Sequence, residues 1–333
     1  MYTPPFTLSA KAVNLIAEIA AQIERYAIRL EQSDGLLLRR ANRIKTIHSS
    51  LAIEGNTLTE GQVVDILNGK TIVAPIREIQ EVKNAIRTYE LYPSLDPFKV
   101  DDLLKAHATM MMALTDDAGN FRRRGVGVFS EKGMVHMAPP ASLVPTQMHN
   151  LFEWLSHSED HLLVRSCVFH YEFEYIHPFS DGNGRMGRLW QSLILGKLHP
   201  LFEHLPVENM VYSNQQAYYD AIAESTRRGD CSPFIDFMLS EILKTLKSHQ
   251  GAAIGNNVGE NVGENVGENV GENERKILSI IAGAPKASAQ DMAESTGLSK
   301  RQVERIIKQM REMGLIVHIG PAKGGHWEIR KDT

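Results

Sequence analysis

The twelve residues from His177 to Arg188, His-Pro-Phe-Ser-Asp-Gly-Asn-Gly-Arg-Met-Gly-Arg, are the segment of this 333-residue chain densest in side chains that do chemistry. They fall between two stretches of helical apolar spacing, Leu162 to Ile176 and Met186 to Leu198, and so read as a loop feeding the start of a helix. The first N–H groups of a helix have no partner within it, and the helix dipole is positive there, so such a place binds anions, phosphate above all. Gly182 and Gly184 let oxygens approach the backbone. Arg185 and Arg188, three apart in the first turn, can both face the anion, each able to hold it with two N–H groups. Asp181 supplies a hard oxygen of the kind that Mg²⁺ takes together with the phosphates of its substrate. His177 stands just before the loop; a histidine titrates near about pH 6.5 in water, so a neutral imidazole can accept a hydroxyl proton there. No Walker loop, Gly-x-x-x-x-Gly-Lys followed by Ser or Thr, occurs, and no Gly-x-Gly-x-x-Gly follows a predicted strand, which argues against an ordinary P-loop enzyme.

The elements that must position these groups are mostly helical. From Leu8 to Glu31 apolar residues fall at Val13, Ile16, Ile19, Ile23, Ala27 and Leu30, which gives a helix one buried face. Similar spacing runs through Ile79 to Tyr92, Val100 to Leu114 and Met148 to Leu155. Alternation suited to strands occurs around Val126 to Met137, where Gly125, Gly127 and Gly133 predict a hairpin. The expectation is a mainly α domain carrying one β-hairpin. It ends at a linker, since Asn-Val-Gly-Glu repeats four times from Asn257 to Glu272 and can bury little. Beyond it, helices are expected at Ile277 to Ala282, Ser288 to Ser295 and Leu298 to Met313, and strands at Leu315 to Ile319 and His326 to Ile329, the order of a small α+β winged helix. The chain therefore divides into a helical region at 1–95, a core at 96–250, a flexible linker at 251–273 and a winged helix-turn-helix unit at 274–333.

A net charge of −4 gives no global basic excess, so contact with nucleic acid must be local if it exists. Residues 274–333 carry 11 basic and 7 acidic side chains, and Lys300, Arg301, Arg305, Lys308 and Arg311 crowd one helix; this unit is expected to contact DNA or a protein. Cys167 and Cys231 cannot form a disulfide framework, which predicts a reducing, cytoplasmic home. No run of eighteen apolar residues and no leader-like start at Met1 to Phe6 is present, so neither membrane spanning nor secretion is expected. The scattered histidines lack ligand spacing and predict no zinc site.

His177 to Arg188 is similar to the signature of the Fic family, His-x-Phe-x-Asp/Glu-Gly-Asn-Gly-Arg-x-x-Arg, and matches it at every fixed position; the resemblance extends from about Ser50 to Tyr219. It implies a Fic-type helical bundle with a hairpin flap that registers a target segment. It also implies a nucleotidyltransferase, moving AMP from ATP to a Ser, Thr or Tyr hydroxyl of a target protein or of itself. In that reading His177 deprotonates the hydroxyl and Asp181 holds Mg²⁺. Gly182, Asn183 and Gly184 line the anion hole, Arg185 takes the β-phosphate, Arg188 takes the γ-phosphate, and Met186 and Gly187 complete the nucleotide-binding segment. Tyr218 resembles the adenine-side wall. Ser50 and Glu54, four apart near the end of a helix at about 44–55, resemble the inhibitory helix of one class of the family, in which the glutamate occupies the second motif arginine, here Arg188. Homodimers are common in such proteins. Competing readings are a nucleotide-sensing DNA-binding regulator with an idle Fic domain, an enzyme that removes AMP, and a phosphotransferase.

Overall fold

The three-and-four apolar spacing becomes a set of packed helices in the computed structural model, which describes residues 2–32, 35–130, 133–203, 207–251, 270–296, 298–312, 316–319 and 325–329. The chain divides into two units, Met1–Gly251 and Ala252–Thr333. In the first, α1 (Ala10–Gln32), α2 (Gly35–Ile53), α3 (Glu60–Leu67), α4 (Ile76–Leu91) and α5 (Val100–Met110) precede a hairpin of β1 (Gly127–Ser130) and β2 (Gly133–Met137). Then come α6 (Val144–His157), α7 (Leu162–Ile176), α8 (Asn183–Leu198), α9 (Val207–Ser213), α10 (Gln215–Arg228) and α11 (Ser232–Gly251).

Helix α7 is buried on nearly all sides, as its run of apolar residues requires, and pairs with α8 at the centre of the core, where Phe169, Phe173, Phe179 and Trp190 are fully enclosed. Helix α1 packs on α11, and the Pro5 carbonyl accepts from the Cys231 N–H at 3.1 Å, so the start and end of this unit close on each other. The buried face of α1 holds Ile19 and Ile23, as expected, and Ala12; Val13 is 54% exposed, because Ala12, seven residues before Ile19, takes the inward place in the first turn. The hairpin is antiparallel, pairing Gly127 with Met137 and Val128 with His136, with an irregularity between Val128 and Phe129.

The second unit has α12 (Val270–Gly283), α13 (Ala289–Thr296) and α14 (Lys300–Glu312), then β3 (Ile316–Ile319) antiparallel to β4 (His326–Ile329). Ile277, Ile281, Met292, Val303, Ile306, Met310 and Ile316 form its core. This is the expected winged-helix order. Helix α12 starts seven residues before the expected Ile277 and takes up the end of the repeat, while residues 252–269 of the linker lie outside the described residues, as do Gly297, Met313 to Leu315 and Gly320 to Gly324. No described helix is long and apolar enough to cross a membrane.

Candidate active site

The candidate loop joins the C-terminus of α7 to the N-terminus of α8. His177 caps α7 in the left-handed region, with φ 51°, and its N–H donates to the Phe173 carbonyl at 2.9 Å. The chain reverses again at Gly182, whose φ of 85° suits glycine and where a Cβ would come within 2.7 Å of Met111 Sδ. Between these turns the loop is tied to itself. The Asn183 side chain accepts from the Phe179 N–H at 2.9 Å and donates to the Phe179 carbonyl at 2.8 Å. Asn183 thus acts through its side chain on the loop, and its backbone N–H opens α8.

His107 on α5 supports the loop from below. The Gly119 N–H donates to its Nδ1 at 2.9 Å, so Nε2 carries the proton and donates to the Asp181 carbonyl at 3.0 Å. Burial lowers its pKa to about 4, which keeps the ring neutral, and it stacks on Phe179 with centroids 3.6 Å apart and planes within 6°. Nothing in the local sequence marks His107 for this task; its partners are 12 and 74 residues away.

Asp181 is 38% exposed and its carboxylate is the hub of the loop's outer side. Oδ1 accepts from its neighbour's N–H, at Gly182, at 2.6 Å and from Arg185 Nη2 at 3.0 Å; Oδ2 accepts from Arg77 Nη2 at 3.2 Å. Arg77 was not singled out by the sequence, because α4 brings it to the loop from more than 100 residues away. Arg185 itself is buried.

Arg188, 1% exposed, donates through Nη2 to Glu54 Oε1 at 2.7 Å and to the Ser50 carbonyl at 3.0 Å. Burial works against its charge, but the Glu54 carboxylate prevails and raises its pKa. Two expected details change. Helix α2 ends at Ile53, and Glu54 occupies the closing turn, in which the N–H groups of Gly55 and Asn56 return to the carbonyls of Ala52 and Leu51. Ser50 reaches Arg188 through its carbonyl and not its hydroxyl. A Cβ at Gly184 would strike the Glu54 carboxylate and lie 2.9 Å from Arg188 Nη1, so glycine there leaves the room that the ion pair occupies.

A second carboxyl lies behind His177. Glu174 Oε2 is 3.8 Å from His177 Nδ1, Oε1 is buried without a hydrogen-bond partner, and burial pushes its pKa up to about 8 against the pull of Arg188 and with the push of Glu54. Glu208 on α9, also buried, is pushed up to about 7 and accepts from the Tyr89 hydroxyl at 2.7 Å. Arg188 therefore stands in the field of several acids, of which Glu54 alone forms an ion pair with it among the described residues.

The Fic/DOC family model matches residues 97–195, and the winged helix-turn-helix DNA-binding model matches residues 272–317. A Fic family protein from Desulfovibrio desulfuricans G20 is 39% identical, with a TM-score of 0.73, over 100% of this chain and 99% of that one. The chain belongs to the Fic family. Protein adenylyltransferase fic-1 of Caenorhabditis elegans is 30% identical over 62% of this chain and 41% of its own length; protein adenylyltransferase Fic of Aedes aegypti is 27% identical over 67% and 45%. The chain thus spans less than half the length of these curated relatives.

Within this Fic fold three expected nucleotide contacts lie elsewhere. Tyr218 on α10 is 2% exposed among Phe234, Phe237 and Tyr219, and its hydroxyl donates to His170 Nε2 at 2.9 Å, so it stands behind the site and presents no ring face to an adenine. His170, lowered to about 4 by burial, is neutral and donates from Nδ1 to Gln191 at 2.6 Å, which completes a buried chain of hydrogen bonds. Met186 points into the core. Gly187 faces α7, where a Cβ would come within 2.7 Å of Glu174 Oε1; it serves the close packing of the two helices.

Proposed function

We propose that this chain transfers AMP from ATP to a hydroxyl of a protein and that Glu54 restrains the transfer. The reading is carried by one juxtaposition at the head of α8: a buried Arg188 held by a carboxylate in the way a phosphate would hold it, beside the glycine-flanked helix start, Asp181 and His177. In the proposed reaction the hydroxyl oxygen bonds to the α-phosphorus as the bond to the bridging oxygen of the β-phosphate breaks. His177 takes the hydroxyl proton, and pyrophosphate leaves. The rest is positioning and charge: the N–H groups at 183–184 and the α8 dipole face the phosphates, Arg185 turns from Asp181 to the β-phosphate, and Arg188 exchanges Glu54 for the γ-phosphate. One guanidinium fork cannot hold both, which is the basis of the restraint.

Asp181 fits a magnesium ion: its carboxylate is half-exposed, and the 59%-exposed Arg77 holds one oxygen from the surface. When bound, the cation would neutralise phosphate charge next to the bond that breaks. The two-stranded antiparallel hairpin fits a role in aligning a target segment by strand pairing.

The names of the matched relatives support this activity. The test is incubation of Glu54→Gly protein with Mg²⁺ and ATP labelled on either the α- or the γ-phosphate. The expected result is α-label on protein and an added mass of AMP, with His177→Ala binding ATP but taking up no label. Label from the γ-phosphate would make the chain a phosphotransferase, and binding without label would make it a nucleotide sensor.

For the second unit we propose DNA contact through α14, where Lys300, Arg301, Arg305, Lys308 and Arg311 are exposed while Val303, Ile306 and Met310 face the core. A DNA mobility shift by the full chain should weaken with salt and disappear in Arg301→Glu/Arg305→Glu. A shift unaffected by that pair would discard the assignment.

A further inference from the structure

Arg122 is a buried arginine, 2% exposed, with no carboxylate within ion-pairing distance among the described residues. Its guanidinium is spent on carbonyl oxygens. Nε donates to the carbonyl of His177 at 2.7 Å, Nη2 to those of Pro139 at 2.6 Å and Ile176 at 3.2 Å, and Nη1 to that of Arg124 at 2.9 Å. Its own N–H donates to the Pro178 carbonyl at 2.9 Å.

These acceptors belong to two structures. Ile176 and His177 end α7, where the last carbonyls of a helix lack partners and the dipole is negative, so a cation there meets both needs. Arg124 and Pro139 lie on the two legs of the hairpin, just outside β1 and β2, with the Ala138 N–H to Val126 carbonyl bond between them at 3.3 Å. A planar fork with five donors can span four carbonyls in different directions; a lysine, a point charge with three, cannot. The left-handed conformation of His177 is uncommon for a residue with a side chain, and it persists where its surroundings hold it.

We propose that Arg122 is a positioning residue that fixes the hairpin relative to His177, so that a target backbone lying along the hairpin presents its hydroxyl to that imidazole. This rests on the transferase reading above. It makes Arg122 the link between target alignment and proton transfer, while the phosphate cradle of α8 takes no part in the link.

The test compares Arg122→Lys with its parent in the Glu54→Gly background of the full chain. Three quantities are read: the first-order rate of AMP uptake by intact mass, the KM for ATP, and hydrogen exchange over residues 123–139. The expected result is a fall of tenfold or more in uptake at saturating ATP, a KM within threefold, and exchange at least tenfold faster over 123–139. Uptake within threefold of the parent, unchanged exchange, or a loss of uptake matched by an equal rise in KM would each overturn the proposal. If Arg122→Lys does not fold, Arg122→Ala is assayed with millimolar ethylguanidinium or ethylammonium. Recovery with the first alone supports the link, and recovery with both or neither overturns it. A parent that takes up no AMP would refute the transferase reading, and the exchange measurement would still judge whether Arg122 anchors the hairpin.

Discussion

Replacing Glu54 by glycine should raise nucleotide affinity and lower stability by related amounts, because one ion pair governs both. Arg188 is 1% exposed and bonded to Glu54 at 2.7 Å. Breaking a buried pair by removing one partner costs about 3–5 kcal/mol. Three features of the site reduce that figure. Glu54 is 34% exposed, so water screens it, and Arg188 keeps the Ser50 carbonyl at 3.0 Å. Glu174, pushed up partly by Glu54 itself, also ionises more easily once Glu54 is gone. An expected loss of about 1–3 kcal/mol follows, or roughly 2–4 °C in Tm for each kcal/mol in a unit of this size. In the parent chain the same free energy must be spent before Arg188 can meet a phosphate. Its release in Glu54→Gly should therefore appear as an approximately 5- to 150-fold gain in ATP affinity. Glu54→Gln, which keeps an acceptor without the charge, should fall between the two. The assay is calorimetric titration with ATP and Mg²⁺ beside thermal denaturation without nucleotide. A lower Tm with affinity and AMP uptake unchanged would show that the pair is structural and refute the competition; no change in either would show that the pair does not form.

Other expectations follow from the same geometry. Stability should fall as pH rises from about 6.5 to 8. Glu172, Glu174 and Glu208 are raised to about 7, 8 and 7, mainly by burial, so above about pH 4.5 the folded chain holds protons that the unfolded chain has lost. His107 and His170, lowered to about 4, act in the opposite sense only below about 6.5, where the unfolded chain takes up protons that the folded chain refuses. Between pH 7 and 8 Glu174 is the main contributor, so Glu174→Gln should flatten the Tm profile there; a parent profile already flat from 6.5 to 8 would contradict the assignment. Gly182→Ala should cost about 1–3 kcal/mol, from the left-handed backbone and from crowding against Met111, and a Tm within 1 °C of the parent would count against it.

How much could be read from the sequence followed from how local each feature is. The Fic motif is contiguous, so the order of a helix end, a glycine-containing loop and a new helix start already indicated where the unpaired N–H groups and Arg185 lie. The apolar spacing of α7 and the helix-helix-helix-strand order of the second unit were legible for the same reason. Glu54 was legible only through its resemblance to a motif; that it sits in the turn beyond α2, and that Ser50 contributes a carbonyl, depended on how that turn closes against α8. His107, Arg122, Arg77 and Glu174 were not found, and Tyr218, expected by resemblance at the adenine-side wall, is buried against His170. For most of these, what gives the side chain its role is a partner tens of residues away, brought near by helices packing at angles that no spacing along the chain encodes. The sequence by itself determined which groups could bind phosphate and accept a proton. The tertiary structure decided which distant carbonyls, carboxylates and rings hold those groups in place, because burial makes each unsatisfied donor or charge costly until the packed fold supplies its partner.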